Sequence, residues 1–347
     1  MKKSVMELEE YSVSQEASVA KMNQNESPYD IPAELKKRIL DKLAGSKWNR
    51  YPPGKPEALI DAISKYAGWT ASGIVAGNGS NEIIQSILLA VCEPRDKVVV
   101  VSPGYSIFPR LAQIMGLKTI DVPLLEDFRF DVPAIIEKSK GARLVILASP
   151  NNPTGTVLGI EEIKDIARRI KGTFVVDEAY FEFHKKTALK LLEKTDNLMI
   201  IRTFSKAFGL AGLRLGYLMA RPETAKEIRK TKLPFSVGIF QQIAGELIAR
   251  NGKYIGNIAD EVIKEREKLF LEMSKISPVK PIPSFANFIL FSITDRLTKG
   301  VFESLYKQGV LLRYFETPRL KNMLRVTVGR PEENLIFLRK LKAILGA

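Results

Sequence analysis

Seven short runs of β-branched and aliphatic residues, separated by stretches of helical periodicity, constrain the fold of this chain more than any other feature. The runs are GIVAGNG, KVVVVSP, KTIDVPL, RLVILASP, TFVVDEAY, MIIRTFS and RLGYLMA. Between several of them lie amphipathic stretches such as SNEIIQSILLAVCE and IEEIKDIARRIK, whose apolar residues recur at three- and four-residue spacing. Parallel strands need long crossover connections, so this alternation predicts an α/β fold with helices on both faces of the sheet. Residues 46–245 are expected to form a large domain around a mainly parallel seven-stranded sheet. The polar, proline-marked N-terminus and the region after about 246, a charged helix followed by FANFILFS, GVLLRYF and MLRVTVG, read differently. They predict a smaller α+β domain built from residues 1–45 and 246–347.

Composition narrows the functional classes. The formal charge is +14, from 53 Lys and Arg against 39 Asp and Glu, which raises the question of nucleic acid. Most of the cations stand beside acids, as in EVIKEREK, the pattern of a solvated helix face, and no nucleic-acid-binding signature accompanies them. A basic background suits small anionic molecules equally well. Lys2 and Lys3 are followed by MELEEYSVSQ where a signal peptide needs an apolar core, and no run approaches the roughly 18 apolar residues of a membrane span. A cytoplasmic protein without a membrane partner is expected. The single cysteine, Cys92, excludes an intrachain disulfide and a multi-cysteine metal site, and its setting in SILLAVCEP reads as a small buried hydrophobe. No metal is expected.

In open α/β sheets ligands bind outside the carboxyl ends of the strands, and here those ends carry the unusual residues. GNGSNE at 77–82 ends a strand in glycines and starts a helix, so the N–H groups of Ser80 and Asn81 form a candidate anion site; a tight turn with Ser80 or Asn81 as helix cap is the alternative. It fails as a dinucleotide fingerprint, because Glu82 stands in place of the third glycine. SPNNPTG places two asparagines between prolines at a strand end; Asn152 is the candidate donor to a phenolate-like oxygen, against a purely structural turn. Asp177 closes the apolar run TFVV, so its carboxylate needs a positive or donor partner. A protonated ring nitrogen about 4 Å away would be attracted by roughly 4 kcal/mol at an effective dielectric near 20; capping the next helix is the plainer role. RTFSKAFGLAGLRLGY at 202–217 combines Ser205, Lys206 and Arg214: a lysine able to form an imine, a forked anion clamp and a hydroxyl donor.

SPNNPTG, DEAY and RTFSKAFGLAGLR, in that order and spacing, resemble the fold type I pyridoxal-phosphate aminotransferases, and NRYPPG at 49–54 with LRVTVG at 324–329 resembles their histidinol-phosphate branch. The resemblance runs from about Asn23 to Arg330. It implies pyridoxal 5′-phosphate as cofactor, with Lys206 its covalent anchor and the proton-transferring base, Asp177 the partner of the pyridine nitrogen, and Asn152 and Tyr180 donors to the ring hydroxyl oxygen. It implies further that Tyr105 stacks on the ring and that Ser80, Asn81, Ser205 and Arg214 hold the phosphate, with Tyr51 reaching in from a neighbouring subunit of a homodimer. Arg325, supported by Arg313 and with Asn23 nearby, would bind the anionic end of the substrate, a phosphorylated amino alcohol in one half-reaction and a 2-oxo acid, expected to be 2-oxoglutarate, in the other. The alternative for Arg313 is a surface salt bridge. Two positions depart from the family pattern: Ser27 follows Asn25-Glu26 where relatives often have an aromatic residue or asparagine, with Tyr29 two residues on, and Gly104 stands where threonine is common.

Rival readings within the same chemistry are a threonine-phosphate decarboxylase, which shares GLAGLRLGY but commonly carries phenylalanine at the position of Tyr180, and an aromatic or broad-range aminotransferase. A Ser or Cys hydrolase is disfavoured: His184 is the only histidine, it sits in the charged segment FHKK, and there is no G-x-S-x-G elbow.

Overall fold

The computed structural model describes residues 1–10, 16–293 and 298–346, so residues 11–15, 294–297 and 347 of the expected small domain lie outside it. Each of the seven apolar runs forms a strand: β1 (Ile74–Gly77), β2 (Lys97–Ser102), β3 (Lys118–Pro123), β4 (Leu144–Ala148), β5 (Thr173–Asp177), β6 (Leu198–Thr203) and β7 (Gly216–Met219). They make one sheet in the order β1-β7-β6-β5-β4-β2-β3. Strands β3, β2, β4, β5 and β6 pair in parallel, and β7 runs antiparallel to both its neighbours.

The period-two arithmetic of a strand explains why these runs are apolar throughout. Val99, Val101, Val145, Leu147, Phe174 and Val176 belong to one core cluster, while the residues between them, Val98, Val100, Leu144, Ile146 and Val175, belong to another. Both faces are therefore buried, as a parallel sheet clad in helices requires. Helix α1 (Gly79–Val91) follows β1 directly and buries Ile83, Ile84, Ile87 and Leu88.

A second sheet, of strands β8 (Lys280–Pro281), β9 (Phe288–Ser292), β10 (Arg313–Tyr314) and β11 (Met323–Thr327), is antiparallel in the order β10-β11-β9-β8. Together with α2 (Gly252–Ser274) and α3 (Pro331–Leu345) it surrounds a third core cluster that includes Ala20 and Met22. The packing does not change at the expected boundaries 45/46 and 245/246. Ile31, Leu35 and Ile39 pack on the large core, and α2 crosses from one core to the other, with Ile255, Ala259 and Val262 in the first and Leu269 and Met273 in the third. Among the described residues no helix is long and apolar enough to cross a membrane.

Candidate active site

A cavity of about 800 Å³ opens at the carboxyl ends of β2, β4, β5 and β6, where the strand order turns back on itself. Segment 23–25 and residues of β10 and β11 form its opposite wall. Ser80, Asn81, Tyr105, Asn152, Asp177, Tyr180, Ser205, Lys206, Arg214, Arg313, Arg325 and Asn23, which the sequence singles out from distant positions, all border this one space.

Asp177 and Lys206 set its polarity. Asp177 ends β5, where burial pushes its carboxyl up to about 7, against the stabilising N–H of Ala179, which donates to Oδ1 at 3.0 Å. That bond is the turn-capping role the sequence allows, and it uses one oxygen only. The Lys206 amine donates to the backbone carbonyl of Gln24 at 3.1 Å. Burial first, and the positive charge of Arg325 second, bring its pKa down to about 7. Burial draws both a lysine and a carboxyl toward neutrality, the kind of perturbation found at sites of proton transfer.

The anion pole lies at the start of α1. Gly79 has a φ of 79°, and a Cβ there would stand 2.8 Å from Arg214 Nη2, so glycine is required both by the left-handed backbone and by the approach of the guanidinium. Arg214 Nη1 donates to Ser205 Oγ at 3.1 Å and to the Ala211 carbonyl at 2.9 Å. Arginine fork, serine hydroxyl and the amino end of α1 converge as an anion cradle. Tyr105 donates to Asn81 Oδ1 at 3.2 Å and stands edge-on to Phe108, which places its ring beside this pole.

The structure separates the two asparagines of SPNNPTG. Asn151 is fully buried and donates to the Pro103 carbonyl and to Thr154 Oγ1, both at 2.9 Å, pinning one loop to the next. Asn152 borders the cavity, and Arg325 Nη1 donates to its Oδ1 at 2.5 Å. A guanidinium only donates, so it fixes Oδ1 toward itself and turns the amide N–H₂ elsewhere. Tyr180 is buried edge-on to Phe288 and accepts a hydrogen bond at 3.0 Å from Asn25 Nδ2.

Arg313 and Arg325 are directly paired across β10 and β11, so their side chains share a face, and both border the cavity. Like charges in opposed positions are unfavourable, and an anion between them would relieve that repulsion. Arg325 also donates to the Asn23 carbonyl at 2.8 Å, and its guanidinium lies 5.2 Å from the Phe288 ring. Tyr51 is not on the cavity wall: it is 82% exposed and stacks on Phe235 at 4.6 Å. Tyr29 points away as well, donating to Glu261 at 2.7 Å. Sequence reasoning missed Asn25, Gln24 and Thr327; the first two adjoin Asn23 in the NQNES segment, and Thr327 lies two residues after Arg325, yet only the fold brings them to Tyr180 and Lys206.

The two residues outside this chemistry are unremarkable in position. His184 ends a short helix (Phe181–His184) against Phe285, and burial lowers its pKa to about 4. Cys92 is half-buried beside the second core cluster, and burial pushes its thiol up to about 11.

The family model for aminotransferases of class I and II matches residues 17–341. The chain is 36% identical to a histidinol-phosphate aminotransferase of Prosthecochloris aestuarii, over 99% of this chain and 97% of that protein. It is 37% identical to one of Chlorobium phaeovibrioides, over 99% of this chain and 96% of that protein. Its fold is similar to the crystal structure of histidinol-phosphate aminotransferase from Sinorhizobium meliloti in complex with pyridoxal-5′-phosphate, with a TM-score of 0.90 at 23% identity, covering 100% of this chain and 97% of that one.

Proposed function

The chain belongs to the class I and II aminotransferases and, within them, to the histidinol-phosphate aminotransferases, and we propose that its cavity moves the amino group of L-histidinol phosphate to 2-oxoglutarate, giving imidazole acetol phosphate and L-glutamate. The observation that carries this reading is the opposed pair Arg313 and Arg325 on the wall of the cavity that holds the Lys206 amine. A phosphate and a carboxylate both suit a planar guanidinium, so one receptor serves both half-reactions.

Pyridoxal 5′-phosphate is the cofactor, and the donor set fits it: an anion cradle at Arg214, Ser205, Ser80 and Asn81, a buried carboxyl at Asp177, and a lysine between them. The chemistry supplied by the bound cofactor is an electron sink for the pair left at the substrate Cα. Lys206 would hold the cofactor covalently and, freed when the substrate binds, would serve as the base that takes the substrate's Cα proton and gives it back. Asp177 would face the ring nitrogen and favour its protonated form. Asn152 and Tyr180 would donate to the ring oxygen, and Tyr105 would cover the ring face. Arg325, Arg313 and Asn23 would orient the substrate's anionic end.

The near-neutral pKa of Lys206 has a measurable consequence. Attack on a carbonyl needs the free amine, and the free form predominates above about pH 7 here rather than above the usual lysine range. The rate at which cofactor-free protein captures pyridoxal phosphate, followed by visible absorbance, should rise with pH to about 7 and then level off. A rate that keeps rising about tenfold per pH unit toward 10 would contradict the assignment.

We further propose a homodimer in which Tyr51 of the partner subunit completes the phosphate site. Tyr51 and Phe235 form an exposed stacked pair, Trp48 and Leu233, close to them in sequence, are exposed as well, and Tyr51 stands outside its own chain's cavity wall. Exposed apolar side chains of this size suit burial between subunits.

A substrate panel tests the function. L-Histidinol phosphate should exceed phenylalanine and aspartate in kcat/KM by on the order of 100-fold, the worth of one or two charge-assisted hydrogen bonds. Arg325→Lys should erase most of that preference, because it loses the fork. Equal rates for all amino donors, or release of carbon dioxide from threonine phosphate, would overturn the reading.

A further inference from the structure

Resting on the reading that Tyr180 donates to the ring oxygen of the cofactor, we propose that Asn25, oriented by Thr327, is a positioning residue that sets the direction of the Tyr180 hydroxyl proton. The hydrogen bonds run with one polarity from the Asn25 backbone to the phenol. The backbone N–H of Asn25 can only donate, and it does so to Thr327 Oγ1 at 2.9 Å. Thr327 Oγ1 in turn donates to Asn25 Oδ1, 3.1 Å away. With Oδ1 held there, the Asn25 amide faces Tyr180 through Nδ2, at 3.0 Å. The phenol oxygen thus accepts from Asn25, which leaves its own hydrogen for an acceptor other than Asn25, the ring oxygen on the reading above.

The residues that enforce this are rigidly placed. Asn25, Thr327 and Tyr180 are all at most 4% exposed, and removing a partner from such a buried chain leaves a polar group unmatched. Asn25 has a φ of 55°, in the left-handed region that asparagine tolerates better than most residues. Its carbonyl accepts from Asn287 Nδ2 at 3.1 Å, and the N–H of Thr327 donates to the Met22 carbonyl at 2.8 Å. The same segment supplies the Gln24 carbonyl that receives the Lys206 amine. Three parts of the chain, the N-terminal segment, the turn after β5 and the end of β11, meet in this relay. It mirrors the second ring-oxygen donor, Asn152, whose amide is oriented by Arg325.

Donation to the ring oxygen favours its anionic form, so losing the donor raises the pH midpoint at which the visible band of the lysine-bound cofactor titrates. The test is that spectral titration of the holoenzyme, with no substrate present. Thr327→Val, nearly isosteric and neutral, should raise the midpoint by about one pH unit, the worth of one such hydrogen bond. Asn25→Ala should do the same, and Thr327→Ser should restore the original midpoint. Added to Tyr180→Phe, Thr327→Val should cause no further shift, because it acts through Tyr180. The charges facing Lys206, those of Arg325, Glu26, Arg214 and Asp177, are unchanged in all these variants. If Tyr180→Phe raises the midpoint while Thr327→Val and Asn25→Ala do not, or if their shifts persist without the Tyr180 hydroxyl, the relay is refuted and the role of Tyr180 stands. If Tyr180→Phe itself leaves the midpoint unchanged, the underlying reading of Tyr180 fails and the relay with it.

Discussion

Lys206→Ala should lose transamination by on the order of 10⁴-fold, the upper end of what a positioned proton-transfer group contributes. The same variant should bind pyridoxal phosphate without the visible band of a lysine-bound cofactor. Its amine is enclosed beside Gln24, Arg325 and Asp177, and no other lysine borders the cavity among the described residues. Near-normal turnover, or retention of the covalent band, would show that another amine does the work. Free methylamine should restore part of the rate, since a small amine fits the space the side chain vacates, whereas a merely unfolded variant would not respond.

Asp177→Asn should be the next most severe change, with a loss of about 10³-fold in kcat. A buried carboxylate paired with a pyridinium is worth about 4 kcal/mol at an effective dielectric near 20, and three orders of magnitude is that energy expressed as a rate. Asparagine keeps the size and can still accept the Ala179 N–H through its amide oxygen, so the turn should survive. The pairing also reverses a pKa. In the chain alone, burial lifts Asp177 to about 7. A cation beside it favours the ionised form and draws that value down, so the carboxylate should be charged across the neutral range in the holoenzyme. An Asp177→Asn enzyme within threefold of the parent would contradict the ring-nitrogen role.

The large sheet is legible in the sequence because its strands are buried on both faces, so that runs such as VVVV in β2 and LVIL in β4 are apolar at every position. The smaller unit is less legible. Its packing shares α2 with the large core and draws in only a few residues near Met22 from the N-terminus, a sharing that the change in sequence pattern near 46 and 246 does not reveal. The residues of the site that carry charge or end a strand, Lys206, Asp177, Arg214 and Asn152, stand out because such groups are costly in apolar surroundings without a function.

Those that act through another residue do not stand out. Asn25 reads as one polar residue in a polar segment, and its partners Thr327 and Tyr180 lie 302 and 155 positions away. Arg313 illustrates the intermediate case: from sequence alone a surface salt bridge is an equal alternative, and only the register opposite Arg325 turns it toward the cavity. Tyr51 is recognisable as a motif residue, but its exposure removes it from its own cavity, so the role proposed for it requires a second subunit.

The most direct test of the central claim is a single half-reaction on the holoenzyme. L-Histidinol phosphate, added in slight excess with no oxo acid present, should bleach the visible band of the lysine-bound cofactor. One equivalent of imidazole acetol phosphate per active site should appear, and later addition of 2-oxoglutarate should restore the band. A band that persists with L-histidinol phosphate yet disappears with phenylalanine or aspartate would contradict the assignment of Arg325 and Arg313 to a phosphorylated substrate.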